Sequence, residues 1–563
     1  YNREQYQMEG AAAVLTPVGE AIFGPTRPAL LALLGAVLLV LLIACANVAG
    51  LLVVDLVERR GELALRQALG ASATALRRGL LAETLLLASL GGSLGLALAL
   101  ALTPLLVALA PAEVPRLHDV AVDARAFAFC LLAALVTAVL CALFPAGLLR
   151  RIPEAEAMRA GGRGAAPGRN PLRTALVVGE IALALVLLVG AGLLARSFVA
   201  LRQAPLGYEP AGAFSFDLAL PPGYEAPVRW RAFCQEALQR VQVLPGVASA
   251  ATVTLRPLWG TVGMDWPFTL EGQSASEAER NPLVNFETVS PGYFSTMRIP
   301  VRRGRAFEDT DDERQPGVVV VSEALARRAW PGKEALGQRM KLPLPGTPFD
   351  GQWLSVVGVV ADARYREIHG TRHDLYMSFL QADHRPRHLM VRAAGEPNAL
   401  VPAVREALRG LAPELPAPSA LAMSEAVSMA LGGPRFAARV FGAFAGLALL
   451  LAALGLYGLL AYSVSRRTRE IGVRAALGAS PAALRELVWR EGLGLAASGI
   501  GLGTLFAAAA TRALAGLLHE VGPLDPATFV TVGLALATVA LLTCLLPARR
   551  AARVDPAVAL RAE

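Results

Sequence analysis

Apolar residues run through this chain in long blocks. Seven windows, about 28–55, 80–110, 126–149, 173–198, 435–465, 484–514 and 526–548, reach the ~20 apolar residues that a bilayer crossing requires. The block 199–434 differs. It is mixed in polarity, rich in Pro and Gly, and large enough for a core of its own. Ala213–Leu220 alternates with the period of a strand, and Arg229–Val243 has the period of an amphipathic helix. Val247–Leu255, Val318–Val321, Trp353–Val360 and His388–Ala393 read as further strands. Glu323–Ala329, with Ser322 as its N-cap, and Ala399–Leu411 read as helices. The pattern predicts a membrane α-helical bundle of seven transmembrane helices in two related halves, carrying one α+β domain outside the membrane, with room for two lobes.

One polar element occurs twice. Glu62-Leu63-Ala64-Leu65-Arg66-Gln67-Ala68-Leu69-Gly70-Ala71-Ser72 returns 408 positions later as Glu470-Ile471-Gly472-Val473-Arg474-Ala475-Ala476-Leu477-Gly478-Ala479-Ser480. Each copy follows one apolar run and precedes the next, so two related membrane units share one polypeptide. On a helix, Glu62 and Arg66, like Glu470 and Arg474, stand four apart on one face. Gly70 and Gly478 suit a helix C-terminus, Ser72 and Ser480 the N-cap of the next helix, and Pro481 its first turn. Each copy therefore reads as a short helix, a sharp turn and a helix entering the membrane. An exposed pair of this kind stabilises a helix by only ~0.3–0.5 kcal/mol. Its repetition in the first such connection of each half is what points to docking of a two-fold partner, such as an ATPase dimer.

Composition sharpens this picture. The 563 residues are 55% hydrophobic and 17% charged, with a mean hydropathy of +0.49, which excludes an ordinary soluble protein. Residues 199–434 hold 24 Lys and Arg against 25 Asp and Glu, so the surplus behind the net charge of +8 lies elsewhere. It sits in short connections, around Arg59–Arg78, Arg150–Arg173, Arg466–Arg485 and Arg549–Arg561. By the positive-inside rule those connections are cytoplasmic, and the block 199–434, with 111–125 and 515–525, is outside. The basic balance is thus a topology signal and gives no hint of nucleic acid. Position 27 matches position 435 under the same offset, so residues 1–26 read as the end of an earlier outside domain. The complete protein is then expected to have eight spans, as two sets of four.

Other features suggest bland roles. Four cysteines, Cys45, Cys130, Cys141 and Cys544, lie in spans and Cys234 stands alone outside, so no disulfide is expected in that domain and all five read as small hydrophobes. His369 with His373, and His384 with His388, have a spacing of four, but Gly370 and Pro386 interrupt any helix, so solvated loop histidines are expected and no metal. The linker stretch Gly162–Gly168 lacks Gly-Lys-Ser/Thr, so the chain itself has no nucleotide-binding loop. Glu180 sits about 10 Å into its span and reads as snorkelling or bonded to a neighbouring helix. Glu83 and Glu491, equivalent under the offset, read as helix-start or packing residues, with support of the coupling element as the lesser alternative. Gly91, Gly92, Gly95, Gly499, Gly501 and Gly503 read as sites of close helix approach. Trp230, Trp259, Trp266, Trp330 and Trp353 read as packing.

The run Leu41-Leu42-Ile43-Ala44-Cys45-Ala46-Asn47-Val48-Ala49, the duplicated element and the tail Pro556 to Arg561 resemble FtsX-type permeases. Leu187–Phe198 is similar to the span leading into a MacB-like periplasmic domain. Val289-Ser290-Pro291-Gly292-Tyr293-Phe294, Gly304-Arg305-Ala306-Phe307, Val321-Ser322-Glu323, Trp330-Pro331-Gly332 and Val356–Val360 resemble that domain itself. The layout resembles duplicated orphan permeases of acidobacterial type within the MacB/FtsX-like, type VII ABC class, here N-terminally truncated.

The resemblance implies a bacterial inner-membrane location, a periplasmic large domain, and use of ATP only through a separate cytoplasmic ATPase subunit. It makes Glu62, Arg66, Gly70, Glu470, Arg474 and Gly478 the ATPase-coupling residues; Leu65 and Gln67 depart from the usual pattern. It implies mechanotransmission, in which ATP-driven closure moves the outside domain for export or extraction of an amphiphile, peptide or lipoprotein. No covalent catalysis, cofactor or metal is implied; membrane lipid surrounds the spans, and a periplasmic or outer-membrane partner stays open. The expected divisions are 1–26, the tail of a preceding periplasmic domain; 27–149, a first three-helix membrane unit; 150–172, a flexible cytoplasmic linker; 173–198, a single span; 199–434, the periplasmic domain; and 435–563, a second three-helix unit. The rival readings are an ion-coupled secondary transporter, disfavoured by a parallel repeat and few deep charges, and a non-transport scaffold or sensor controlling an envelope enzyme.

Overall fold

The computed structural model describes residues 27–553 except 60–61, 63–64, 67–68, 70–71, 110–119, 150–170, 220–222, 225, 261–262, 345–346, 383, 396, 414–416 and 478. The expectations placed on residues 1–26, the linker up to residue 170, Gly70, Gly478 and the tail beyond residue 553 lie outside the described residues. Along the chain come α1 (Arg27–Glu58), α2 (Ala73–Leu109), α3 (Ala124–Leu149), α4 (Pro171–Gln203), β1 (Ala213–Asp217), α5 (Pro227–Gln242), β2 (Val247–Val253), β3 (Asp265–Trp266), β4 (Thr269–Leu270), α6 (Ala275–Ala278), β5 (Val284–Val289) and α7 (Tyr293–Met297). There follow β6 (Val301–Gly304), β7 (Val318–Ser322), α8 (Glu323–Ala329), β8 (Arg339–Lys341), β9 (Leu354–Val360), β10 (Asp374–Ser378), β11 (His388–Ala393), α9 (Pro397–Arg409), β12 (Ala420–Ala422) and α10 (Met423–Ala430). The described residues end with α11 (Gly432–Arg466), α12 (Thr468–Ala476), α13 (Pro481–Ala510), a 3₁₀ turn (Thr511–Leu517) and α14 (Pro526–Ala552).

Two compact units result. One comprises the residues up to Ala200 and from Pro434, the other Leu201–Gly433. Among the described residues of the first, six helices (α1, α2, α4, α11, α13 and α14) are long and apolar enough to cross a membrane. Of the seventh expected span, α3, the stretch Ala124–Val139 counts as a shorter apolar helix, so the number seven is approximate. Helices are the form that lets such segments satisfy every backbone group internally in hydrocarbon. The starts of α13 and α14 are capped by side chains: Ser480 Oγ accepts from Ala483 N at 3.3 Å, and Asp525 Oδ2 accepts from Thr528 N at 2.8 Å.

The centre of this unit is α4, 61% of whose membrane stretch is buried, whereas none of the corresponding stretch of α2 is. Gly499 and Gly503 of α13 make the contact with α4 close. A Cβ on Gly499 would lie 2.6 Å from the Ile181 Cβ, and one on Gly503 would lie 2.9 Å from the Ala182 Cα. Gly92 meets Ala134 at an ordinary 3.5 Å, while Gly91, Gly95 and Gly501 face open space, so the small-residue reading holds for only part of the set. Arg173, near the start of α4, stacks over Tyr462 near the end of α11 at 4.7 Å. Near the other end of α4, Ser197 Oγ donates to the His519 carbonyl at 3.0 Å and accepts from His519 N at 2.8 Å. The start of α4 and the end of α11 thus share one side of the bundle, and the 511–525 connection lies on the other. Asn47 on α1 donates to the Leu451 carbonyl of α11 at 3.0 Å. Glu180 is buried against Gly455, the position 408 after Asn47, so it does not snorkel: the helices around it are too closely packed to let its short side chain out.

The second unit is built on one mixed sheet in the order β12-β1-β11-β2-β5-β10-β7-β9-β8-β4, with β3 on β5 and β6 on β9. The β5–β10 and β7–β9 pairs are parallel and the rest antiparallel. The Val318–Val321 run is buried throughout, as a central strand covered on both faces must be. One end of the sheet packs α5 and α9 through Trp230, Phe233, Val404 and Leu408. The other packs α8 through Leu325, with Trp330, Phe349 and Met340 around it. This is the expected α+β domain, its strands joined in one continuous sheet. Ser322 caps α8 as expected, accepting from Leu325 N at 3.3 Å.

Candidate coupling elbows

In the second half the duplicated element is α12 with the turn before α13. The Glu470–Arg474 pair closes at 2.7 Å with both side chains exposed. Ile471, on another face, is fully buried and joins Leu460, Val464 and Val488 in the bundle core. One face of α12 is therefore seated on the spans, while its charged pair and Leu477 project outward; Leu477 is 81% exposed. In the first half, residues 62, 65 and 66 are helical, and Leu69 N donates to the Leu65 carbonyl at 3.0 Å. Glu62 and Arg66 form the same exposed ion pair. Leu69, the repeat mate of Leu477, is 80% exposed. Four of the six coupling candidates, Glu62, Arg66, Glu470 and Arg474, thus stand as two matched surface pairs.

A second matched pair was missing from the sequence reading. Arg59 Nη1 lies 3.4 Å from Glu83 Oε2, and Arg467 Nη1 lies 3.3 Å from Glu491 Oε2. Arg59 and Arg467 are 408 apart, as are Glu83 and Glu491. Each arginine stands between a span and the coupling element. Each glutamate stands ten residues along the outgoing span, about 15 Å at 1.5 Å per residue. The offset carried the signal; what it could not give was the partner of each glutamate. Arg59 also meets Asp55 at 3.0 Å, where the second half has Ser463, whose Oγ lies 3.5 Å from Glu491 Oε2.

The extramembrane unit holds a buried polar layer of its own. Asn285 and Glu287 on β5 face Asp374 and Tyr376 on β10 in parallel register. Asn285 Nδ2 donates to Asp374 Oδ1 at 2.8 Å, and Leu255 N donates to Glu287 Oε2 at 2.9 Å. Burial pushes the Asp374 carboxyl up to about 7, and pushes Glu287 well above the usual carboxylate range. Tyr293 and Tyr365 share a hydrogen bond at 3.0 Å, and the Tyr365 hydroxyl donates to the Leu255 carbonyl at 2.7 Å. Ser290 Oγ accepts from Thr252 N at 2.9 Å, so the Val289–Phe294 motif ties β2 to β5. His388 corrects the expectation of a solvated loop. It is buried on β11 opposite Asp217, with Nδ1 3.3 Å from Asp217 Oδ1, and Trp259 lies against its ring. Burial lowers its imidazole to about 4, with Asp217 opposing that shift and Arg256 and Arg387 adding to it. Among the described residues no group of three or more His, Cys, Asp or Glu is placed to hold a metal. Cys234 and Cys544 are buried as expected, whereas Cys130 is exposed; the Cys141 side chain is outside the described residues. Of the tryptophans, Trp230 and Trp330 are core, and Trp259 is partly exposed.

Residues 34–153 and 442–556 match the FtsX-like permease C-terminal family, and residues 174–411 match the MacB-like periplasmic core domain. The chain is 29% identical over 288 residues to the probable syringafactin export ATP-binding/permease protein SyfD of Pseudomonas syringae pv. tomato, covering 48% of this chain and 41% of that protein. It is 25% identical over 339 residues to an uncharacterized ABC transporter permease, YknZ of Bacillus subtilis, covering 57% of this chain and 81% of that one. The crystal structure of the periplasmic region of MacB from Actinobacillus actinomycetemcomitans is similar at 14% identity, covering 40% of this chain and 94% of that one, with a TM-score of 0.29. The chain spans less than half the length of SyfD.

Proposed function

Because the chain belongs to the MacB/FtsX-like ABC permeases, with two FtsX-like segments flanking a MacB-like periplasmic core domain, we propose that it is the permease subunit of a mechanotransmission transporter. It is a multi-pass inner-membrane protein with a periplasmic domain. In this reading a separate cytoplasmic ATPase docks on both coupling elements, and its closure moves the periplasmic domain to export or extract an amphiphile, peptide or lipoprotein. The single observation that carries it is the matched pair of exposed elements, Glu62–Arg66 with Leu69 and Glu470–Arg474 with Leu477. Each presents a fixed charge pair beside an uncovered leucine. An isolated pair of this kind contributes too little stability to account for its recurrence.

The export named in the description of SyfD supports the export part of this reading. The test is charge reversal at Glu62 and Glu470 together. We expect a nucleotide-binding subunit that co-purifies with the wild-type chain to be lost from the double variant, with each single variant intermediate. Unchanged association would remove the coupling role. Recovery of an envelope hydrolase in place of a nucleotide-binding subunit would favour the scaffold reading.

A further inference from the structure

We propose that Arg59–Glu83 and Arg467–Glu491 are positioning pairs that brace each coupling elbow, so that force on the coupling element reaches the spans instead of bending the joint. The proposal rests on the coupling reading for its purpose, and on geometry for its existence. Each elbow has three members: an incoming span, a short coupling segment and an outgoing span. The coupling segment follows the end of a span at Arg59 or Arg467 and precedes the next span, before whose first residue Ser72 or Ser480 stands. An unbraced joint of that kind folds when pushed. The ion pair closes the triangle, because it ties the junction arginine to the third turn of the outgoing helix. The same two residue types recur at the same offset, with nitrogen–oxygen distances of 3.4 and 3.3 Å, in halves whose surrounding sequence has drifted. That recurrence separates a brace from a casual surface contact, whose median worth is near zero.

The two braces differ in strength. The second is about one-fifth exposed on each side, while the first is nearly half exposed; both arginines have a further carboxylate, Asp55 at 3.0 Å from Arg59 and Glu470 at 4.0 Å from Arg467. Screening by water and salt weakens the first more than the second. The second elbow is therefore the stiffer lever.

The experiment is distance measurement between spin labels on the full chain, in a background free of its five native cysteines. Labels go on Leu477→Cys and Leu502→Cys for the second elbow, and on their repeat mates Leu69→Cys and Leu94→Cys for the first; all four positions are exposed. We expect a narrow distribution in the parent. Arg467→Glu should shift and broaden it, and Arg467→Glu with Glu491→Arg should restore it. Arg59→Glu should broaden its own elbow less. An unchanged distribution in Arg467→Glu, or no restoration in the double swap, overturns the brace; elution at the parent volume in detergent shows that each variant is folded. A second arm measures ATP turnover of the co-purified nucleotide-binding subunit. Arg467→Glu should leave its association intact, because Glu470 keeps Arg474 at 2.7 Å and meets Arg467 only at 4.0 Å, and should reduce the turnover response to the permease, with recovery in the double swap. If no such subunit associates even with the parent, the coupling reading fails while the label distances still decide the brace.

Discussion

Asp374 and His388 make the stability of the periplasmic domain depend on pH in opposite directions. Asp374 is buried on β10 beside Asn285, with Arg366 and Arg372 lowering and Asp362 raising its pKa, and burial holds its carboxyl near 7 against an ordinary 3.8. The folded state keeps a proton there that the unfolded chain has already released. This contribution is complete below pH 4 and is lost as pH rises through 7, an effect on the order of 4 kcal/mol as an upper bound. We expect Asp374→Asn to raise the unfolding midpoint at pH 8 and to leave it nearly unchanged at pH 4, followed by tryptophan fluorescence. Five of the six tryptophans lie in this domain, which makes the signal specific to it. A midpoint difference that does not vary with pH would refute the assignment. His388 works the other way. Its imidazole is held neutral down to about 4, so its contribution is present above 6.5 and fades as pH falls toward 4. His388→Gln should flatten the acid side of the same curve, and an unaltered acid limb would show that another group controls it.

At the scale of elements, the glycines of α13 and their repeat mates on α2 give a direct contrast. Gly503 approaches the Ala182 backbone so closely that a side chain must push α4 away, whereas Gly95, 408 positions earlier, faces open space. Gly503→Leu should destabilise the bundle of this 563-residue chain by about 1–3 kcal/mol, the usual cost of overpacking, while Gly95→Leu should change it little. Thermal unfolding of the membrane helices, followed by circular dichroism in detergent, compares the two. Equal losses would show that α2 has a covering helix at Gly95. The same contrast shows what was legible in the sequence. Spans could be read because hydrocarbon demands long apolar helices, whatever they pack against. The centrality of α4 could not be, since α4 and α2 are both long apolar helices and only their neighbours differ. Strands β5 and β10 escaped notice because Asn285, Glu287 and Asp374 break the apolar pattern; their polarity is answered across the β5–β10 pair, which no local window contains. His388 was misread for the same reason, its partner Asp217 lying 171 residues away. The candidate coupling residues were visible because the chain wrote them twice, and Arg59 and Arg467 were equally duplicated but needed the fold to join them to Glu83 and Glu491.

For the whole molecule, everything rests on which side of the membrane the elbows face. Helix α4 leads into the periplasmic domain, so its end is outside and its start inside. Arg173 at that start stacks on Tyr462 of α11, four residues before the end of that span, which places the second elbow inside. The Ser197–His519 bonds place the 511–525 connection at the opposite end. The first elbow follows by repeat, and the arginines flanking both agree with the positive-inside rule. Cysteine labelling on cells tests this chain of placements with single exposed residues in a cysteine-free background. Leu69→Cys and Leu477→Cys should resist a membrane-impermeant thiol reagent on intact spheroplasts and react after permeabilisation, whereas Val243→Cys, an exposed position in the periplasmic domain, should react at once. Labelling of either leucine position in intact spheroplasts would put that elbow on the periplasmic side, where no ATP-driven partner operates, and the proposed transfer of force across the bundle would then have no input.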